Sequence, residues 1–524
     1  MKKGLWKCGA VLAALFALQV AAPEARAQFR AGIQGVVKDP SGLPVPGAKV
    51  TLTSQETKVR RTATTNAEGV YAIPSLAPGR YELSVEKEGF SKKVLSDVRI
   101  TAEQMHSVDV TLAVGQVSES ITVSETVVPL IDTQTAVISG TITTKEVENL
   151  PSFGRDPYQL LRLAPGVFGN GALTAGGGSQ MLPGTNMGGS GATDSIFKVE
   201  NGAQIIANGT RQNSNSFQID GVGVNSASWG GAAVITPNEE SVKEVRVVAN
   251  SYSAELGRNS GAQVMVVSKN GTNDPHGSFF AKFHRPELNA YQRWNGPGSP
   301  SPVAKDTNDF NQFGGSLGGP ILKNRLFSFF SYETIRNDSV NIGTGWYETP
   351  QFRQSAAPNN SVARQLLSFP GVEPVTVASI NMTCAQVGLP PSQCRDVAGG
   401  LDLGSPLKSG LRTPDPTYGQ AGTPYGIGGG FDGVADVMFL QTRGPNKVTN
   451  QQFNGRLDYN LSKKDSLTFS VYWVPVDNKF FNGPARSHNL FNHNSTARSF
   501  TGIYTRTISP TMINEARFGL SGWD

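Results

Sequence analysis

Side chains able to do chemistry are few in this 524-residue chain and widely scattered. His284 and Glu287, in His284-Arg285-Pro286-Glu287, have the spacing of a two-ligand zinc motif, which needs both groups on one face of a regular element. Pro286 opposes such an element, and no third ligand is placed. His488 and His493 sit five apart in an Asn-rich stretch, where a loop reading outweighs a metal one. No Gly-rich phosphate loop or nucleophile elbow is present, so the sequence predicts no catalysis, no metal and no cofactor. Cys384 and Cys394 lie close together in a Pro-containing stretch; a local disulfide is expected, with two free thiols as the alternative. What remains is backbone chemistry. Glu119, Ser120, Ile121, Thr122, Val123 and Ser124 form the centre of a β-prone segment, 115–128, that stops at Pro129. An accessible segment of this kind can add as a strand to the edge of a partner's sheet, while the plainer reading is a last strand or a linker.

The elements that carry these residues are mainly β. With 59 Gly and 17% charged residues, the composition points to turn-rich sheets, and the length to several domains. A net charge of +5, spread without a basic stripe, argues against a nucleic-acid partner. Lys2 and Lys3 precede an apolar run at 11–22, and Ala25-Arg26-Ala27 supplies the small residues a signal peptidase reads. Residues 1–27 are thus expected to be a signal peptide, taking Cys8 with them, and the mature chain to begin at Gln28. No later run reaches the ~18 apolar residues of a membrane helix, so any later span must be a β-barrel.

In the region 28–113, Tyr81, Leu83 and Val85 alternate with Glu82, Ser84 and Glu86, and the pattern recurs at Ala48, Val50, Leu52 and at Val108, Val110, Leu112. This predicts a small antiparallel sandwich, with a hairpin at Asn66 to Gly69. The segment 114–128 then links it to a compact α+β unit at 129–274. In that unit Thr143-Thr144-Lys145-Glu146 has capping-box spacing, and Asp156-Pro157 is an N-cap followed by Pro at the first helical position. Two short helices are expected there. Two β runs, 242–248 and 263–268, precede a turn at Asn270-Gly271-Thr272-Asn273. Residues 275–524 hold about seven strands, in which Phe453, Leu457, Tyr459 and Leu461 alternate with Asn454, Arg456, Asp458 and Asn460, and Leu467, Phe469, Val471 and Trp473 repeat the apolar row. Short links near 318–324, 462–465 and 509–511 alternate with long ones near 285–308, 336–449 and 475–498, as periplasmic turns and extracellular loops do in an outer-membrane barrel.

Two stretches carry a family resemblance: SVKEVRVVANSYSAELGRNSGAQVMVVSKNGTNDPHGSFF at 241–280 and IIANGTRQNSNSFQIDGVGVN at 205–225. They resemble the plug of TonB-dependent outer-membrane receptors, specifically the Oar-like group with an extra N-terminal sandwich. That sandwich looks like a carboxypeptidase-regulatory, transthyretin-like domain, whose fold belongs to a carbohydrate-binding-like superfamily. The resemblance implies a plug motif at Asn208, Gly209, Arg211, Asp220 and Gly221, and TonB contact at Glu119 to Ser124. It also implies a Gram-negative outer-membrane location, outer-membrane lipid around the barrel, and energy from a TonB-ExbB-ExbD complex. The cargo would be an extracellular ligand of carbohydrate, peptide or siderophore type. The alternative is a cell-surface carbohydrate-binding or adhesion protein, which would not need detergent for solubility; a metallopeptidase is disfavoured by the missing ligands. Plugged transporters have about 22 strands. With about seven, the sequence is expected to form a curved open sheet, as the N-terminal part of a longer receptor.

Overall fold

The computed structural model describes residues 31–102, 104–115, 120–127, 137–150, 155–171, 195–197, 204–228, 230–252, 256–257, 259–288, 309–355, 362–403, 431–462, 464–481, 483–509 and 512–524. The expected signal peptide and Glu119 lie outside these.

The sandwich comprises β1 (Gly32–Lys38), β2 (Lys49–Ser54), β3 (Arg60–Thr64), β4 (Val70–Pro74), β5 (Gly79–Glu86), β6 (Lys92–Ile100), β7 (Met105–Ser107), β8 (Val110–Thr111) and β9 (Ser120–Val127). One sheet runs β4-β1-β7 with β8 also on β1, and the other runs β3-β2-β5-β6-β9. Alternation builds the core: Ala48, Val50, Leu52, Leu83, Val85 and Leu112 are buried between the sheets. The turn at Asn66 is not a hairpin. Asn66 Oδ1 accepts from the backbone N–H of Glu68 and of Val70, but β3 and β4 belong to opposite sheets. The turn therefore crosses the sandwich, since Ala63 and Tyr71 must both face one core.

The plug comprises β10 (Ile138–Thr143), β11 (Val167–Gly171), β12 (Gln204–Ala207), β13 (Ser216–Ile219), β14 (Val222–Gly223), β15 (Val242–Asn250) and β16 (Gln263–Ser268). Its main sheet is ordered β10-β15-β16-β13-β14. The α-helix Thr144–Asn149 carries the full capping box, Thr143 and Glu146 each satisfying the other's backbone N–H. Pro157–Leu163 is a 3-10 helix, with the Asp156 carboxylate accepting from Tyr158 N–H. Asp220-Gly221, both at positive φ, makes the tight turn between β13 and β14.

The membrane sheet orders β17 (His276–His284), β18 (Asp309–Leu322), β19 (Leu326–Glu348), β23 (Val437–Asn460), β24 (Asp465–Phe481), β25 (Leu490–Ser509) and β26 (Met512–Trp523) as consecutive antiparallel neighbours. Between β19 and β23, the short strands β20 (Thr376–Ile380), β21 (Cys394–Val397) and β22 (Gly400–Leu403) fold back onto the wall, β20 and β22 pairing with β23. The sheet is curved and open, β17 and β26 being its two ends. Leu317, Leu457, Phe469, Trp473 and Phe518 are exposed on the outer face, while Gln452, Asn454, Ser470 and Tyr472 are buried on the inner face against the plug.

The strands outrun the expectation. β19 and β23 stay in register from Leu326↔Tyr459 to Glu348↔Val437, and β24 and β25 continue to Phe481 and Leu490. The 336–449 connection is therefore much shorter than expected, and the one expected at 475–498 shrinks to 482–489. At ~3.3 Å per residue a strand of this length covers roughly 75 Å, against an apolar band of ~25 Å. Above that band the buried face is no longer apolar, Asn337 and Ser339 being buried while Asp338 is exposed, so the hydrophobic alternation fades while the backbone ladder continues. Asn337, Asp338 and Ser339 opposite Asn446, Lys447 and Val448 show the change.

Candidate functional site: the plug latched to the wall

Two buried polar clusters join the plug to the inner wall. In the first, Arg155 precedes the 3-10 helix in a left-handed conformation (φ 56°), which aims its guanidinium at the wall. Nη1 lies 3.0 Å from Glu239, Nη2 2.9 Å from Glu240 and Nε 3.4 Å from Glu333 of β19. The guanidinium also lies over the Phe280 ring of β17, 3.7 Å from its centroid. Gln312 of β18 donates to the other oxygen of Glu333 at 2.7 Å. The Ser278 hydroxyl donates to Glu240. Burial pushes the Glu240 carboxyl up, but Ser278, Arg155 and Lys269 outweigh it and hold it below the usual carboxylate range.

The second cluster is centred on Asp220. Its carboxylate accepts from Ser268 N–H at 3.0 Å, Ser268 Oγ at 2.7 Å, Ser470 Oγ of β24 at 3.0 Å and Arg456 Nη1 of β23 at 3.2 Å. Arg456 is braced by Asp458, Nε to Oδ2 at 2.9 Å and Nη2 to Oδ1 at 3.0 Å. Higher on the wall, Gln452 accepts from Asn238 N–H at 2.6 Å and donates to Thr236 O at 2.8 Å, and Tyr472 donates to Ser241 Oγ at 3.1 Å. Gly519 of β26 allows the β13–β14 turn to sit on the wall, because a Cβ there would meet Val222 at 2.1 Å. Around these polar contacts, Phe310, Ile335, Val474, Val476 and Ala497 of the wall pack in one buried apolar cluster with the plug core. Such an interface holds the plug in one position and can still take up water when it loosens.

Of the residues singled out in the sequence, Asp220 is in this latch and Gly221 forms its turn. Asn208 and Gly209 form another turn, where Asn208 donates to Ala249 O at 3.0 Å, and Arg211 is exposed at the start of a 3-10 turn. Ser120 to Ser124 begin β9, which pairs parallel to β6 from Lys92↔Ser120 to Val98↔Val127. This is the last-strand arrangement that the sequence left open beside strand addition; a β-prone run beside an open sheet edge gains ladder hydrogen bonds by joining it. As the last strand of that sheet, β9 keeps one edge without a partner strand among the described residues. Cys384 and Cys394 are joined in a disulfide, Cα atoms 5.7 Å apart, and pack with Leu401. His284 ends β17, ahead of the 3-10 turn Pro286–Leu288, and His488 Nδ1 lies 3.0 Å from Gly371 O. Arg155, Glu239, Glu240 and Glu333 were not singled out; the usable signal was an Arg and an acidic pair in a unit otherwise short of charge.

Residues 267–524 match the family described as outer membrane beta barrel domain, and residues 32–113 the carboxypeptidase regulatory-like domain. The chain is similar to the TonB-dependent transporter Oar of Myxococcus xanthus, 27% identical over 316 residues, covering 58% of this chain and 27% of that one. Among solved structures it is similar to a mutant of the ferric enterobactin receptor PfeA from Pseudomonas aeruginosa, with 13% identity, 71% and 38% of the two chains covered and a TM-score of 0.35. The outer membrane transporter YddB from Escherichia coli gives 11%, 71%, 37% and 0.34. The chain thus spans well under two thirds of the length of each of these relatives.

Proposed function

From the premise that this chain is an Oar-like relative of the TonB-dependent receptors, resident in a Gram-negative outer membrane, we propose that it serves ligand uptake energised through TonB. The observation that carries this reading is the Asp220 latch, in which a plug carboxylate is held on the wall by Arg456 and Ser470. Beside this latch the seal has an apolar part, in which Phe310, Ile335, Val474 and Val476 of the wall pack with the plug core. Its polar part can be hydrated and re-formed, as a plug that opens under load requires. The substrate class is open among carbohydrates, peptides and siderophores; the connection 349–436, with its disulfide, is the surface that would meet it.

TonB would engage the segment from Glu119 to Ser124 by strand addition, and the free edge of β9 supports this. The proton gradient of the inner membrane, acting through TonB-ExbB-ExbD, would supply the energy. Replacing Ile121 by Pro removes a backbone donor in the middle of that strand. In the receptor, Ile121→Pro is expected to abolish uptake and leave ligand binding at the cell surface intact. Uptake at the parental rate would place the coupling segment elsewhere.

A further inference from the structure

The sandwich meets the plug through a small set of polar contacts. Ala102, just beyond the end of β6, has both backbone groups gripped by β15: its N–H donates to the Glu244 carboxylate, and its C=O accepts from Arg246 Nη1 at 2.9 Å. Lys243 of the same strand reaches Glu56 at 3.0 Å. Asn273, in the turn from plug to wall, donates from its backbone to Glu56 O at 3.1 Å and from Nδ2 to Thr57 O at 2.7 Å. Asn273 is also tied to Asn324, in the short turn between β18 and β19, so the sandwich sits at the short-turn end of the sheet.

Between these contacts the surfaces do not close. A cavity of about 200 Å³ is lined by Leu76 and Tyr81 of the sandwich, Asp220 of the plug, and Arg456, Asp458 and Ile503 of the wall. Asp220 and Arg456 are the latch itself, so a passage opened by releasing the latch leads into this cavity, and the sandwich forms its far side. At ~30 Å³ per molecule it has room for about six waters. Small-molecule sites run from ~300 to ~1,000 Å³. The space left with the sandwich seated is smaller than such sites.

We propose that the sandwich is a removable cap over the periplasmic mouth, held shut by the grip of Glu244 and Arg246 on Ala102, and that it lifts during transport; the second half rests on the uptake reading above. The joint suits this role. Among the described residues it includes the two hydrogen bonds on Ala102 and the Lys243–Glu56 ion pair, set around a void, so it separates without unfolding either domain. Because β9 is hydrogen-bonded to β6, and β6 leads straight to Ala102, a partner strand added to β9 pulls on the cap before it pulls on the plug.

The test is the accessibility of a cysteine inside the cavity. Ile503→Cys lines the cavity without entering the latch. In cells with a permeabilised outer membrane and an energised inner membrane, it should react slowly with a bulky maleimide. Arg246→Ala should speed the reaction roughly tenfold, the scale of a lost hydrogen bond from a charged group. Arg246 is buried, so that variant could disturb the plug itself. Glu56→Ala lies on the sandwich and should also accelerate labelling, by a smaller factor. Residues 56 and 273 are joined by a backbone hydrogen bond of 3.1 Å, which makes them the pair to bridge by a disulfide. Under oxidation, Glu56→Cys with Asn273→Cys should suppress labelling at position 503. Labelling that ignores these variants and the cross-link overturns the cap. Labelling that follows them yet is unchanged by a protonophore leaves the cap standing and overturns its part in energised transport.

Discussion

The plug has two interfaces, and they are built differently. Against the wall it uses charge out of contact with water: Arg155 among Glu239, Glu240 and Glu333, and Asp220 against Arg456, all with side chains at most 11% exposed. Against the sandwich it uses the backbone of Ala102 and a lysine on the partly exposed Glu56. A buried ion pair adds little net stability, yet removing one partner is strongly destabilising because the other is left unpaired. The wall interface therefore tolerates one seating and punishes every other. The second interface also buries charge, in Glu244 and Arg246, but sets it on the backbone of Ala102 rather than on opposite charges, and adds the partly exposed Lys243–Glu56 pair. The plug is thus tied to the wall by charge on charge and to the sandwich by charge on backbone.

Arg155→Ala should separate the two most sharply. It leaves three carboxylates in one dry site, so the plug should lose about 3–5 kcal/mol of seating stability. Hydrogen exchange in membranes would show this as lost protection across 155–163 and β15, with the sandwich core unaffected. Tyr472→Phe removes one hydroxyl from Ser241 and should cost about 1 kcal/mol in the same exchange experiment. Lys243→Ala breaks a partly exposed pair with Glu56 and should cost at most about 1 kcal/mol, seen as freer movement of the sandwich. A loss of plug protection in Lys243→Ala as large as in Arg155→Ala would break the comparison.

Much of the scaffold was legible because it follows from period and turn chemistry. The alternations at Tyr81, Leu83, Val85 and at Leu467, Phe469, Trp473 identify faces that must be buried or greased, and both sets take the expected sides. Thr143 and Asp156 cap as expected, because a cap depends on neighbours a few residues away. The latch was mostly illegible for the opposite reason. Arg155 meets Glu333 across 178 residues, and Arg456 meets Asp220 across 236, with no local pattern to mark either pair. Asp220 was visible because its turn with Gly221 carries the family resemblance. Strand ends were missed beyond the apolar band, since Asn337 and Ser339 are polar although buried, and no apolar alternation marks the strand there. The pairing of β9 was one of the readings left open, because the Ser120–Val127 run suits a sheet edge of its own chain as well as one of a partner.

Acidity should move the two interfaces in opposite directions. Glu240 and Glu244 are four residues apart, on either side of this division. The Glu240 carboxyl, pushed up by burial but held down more strongly by Ser278, Arg155 and Lys269, lies below its ordinary range in the seated plug. Its contribution is present above the ordinary carboxylate pKa and is lost as pH falls through the lowered one. Glu244 is raised: burial outweighs the Ala102 N–H, Lys243, Arg99 and Arg246, all of which favour the charged form. Its contribution is full below the ordinary carboxylate pKa and is lost as pH rises through the raised one. Mild acidification should therefore tighten the sandwich on β15 while the plug–wall cluster still holds, and stronger acidification should loosen the plug under a seated cap. Exchange protection at Ala102 and at 155–163, followed from neutral to acid pH, reads the two separately. With Glu244→Gln the rise at Ala102 should vanish and the acid loss at 155–163 remain. Protection that falls together at both places, or a rise at Ala102 that survives Glu244→Gln, would mean that the two carboxylates do not govern the two interfaces.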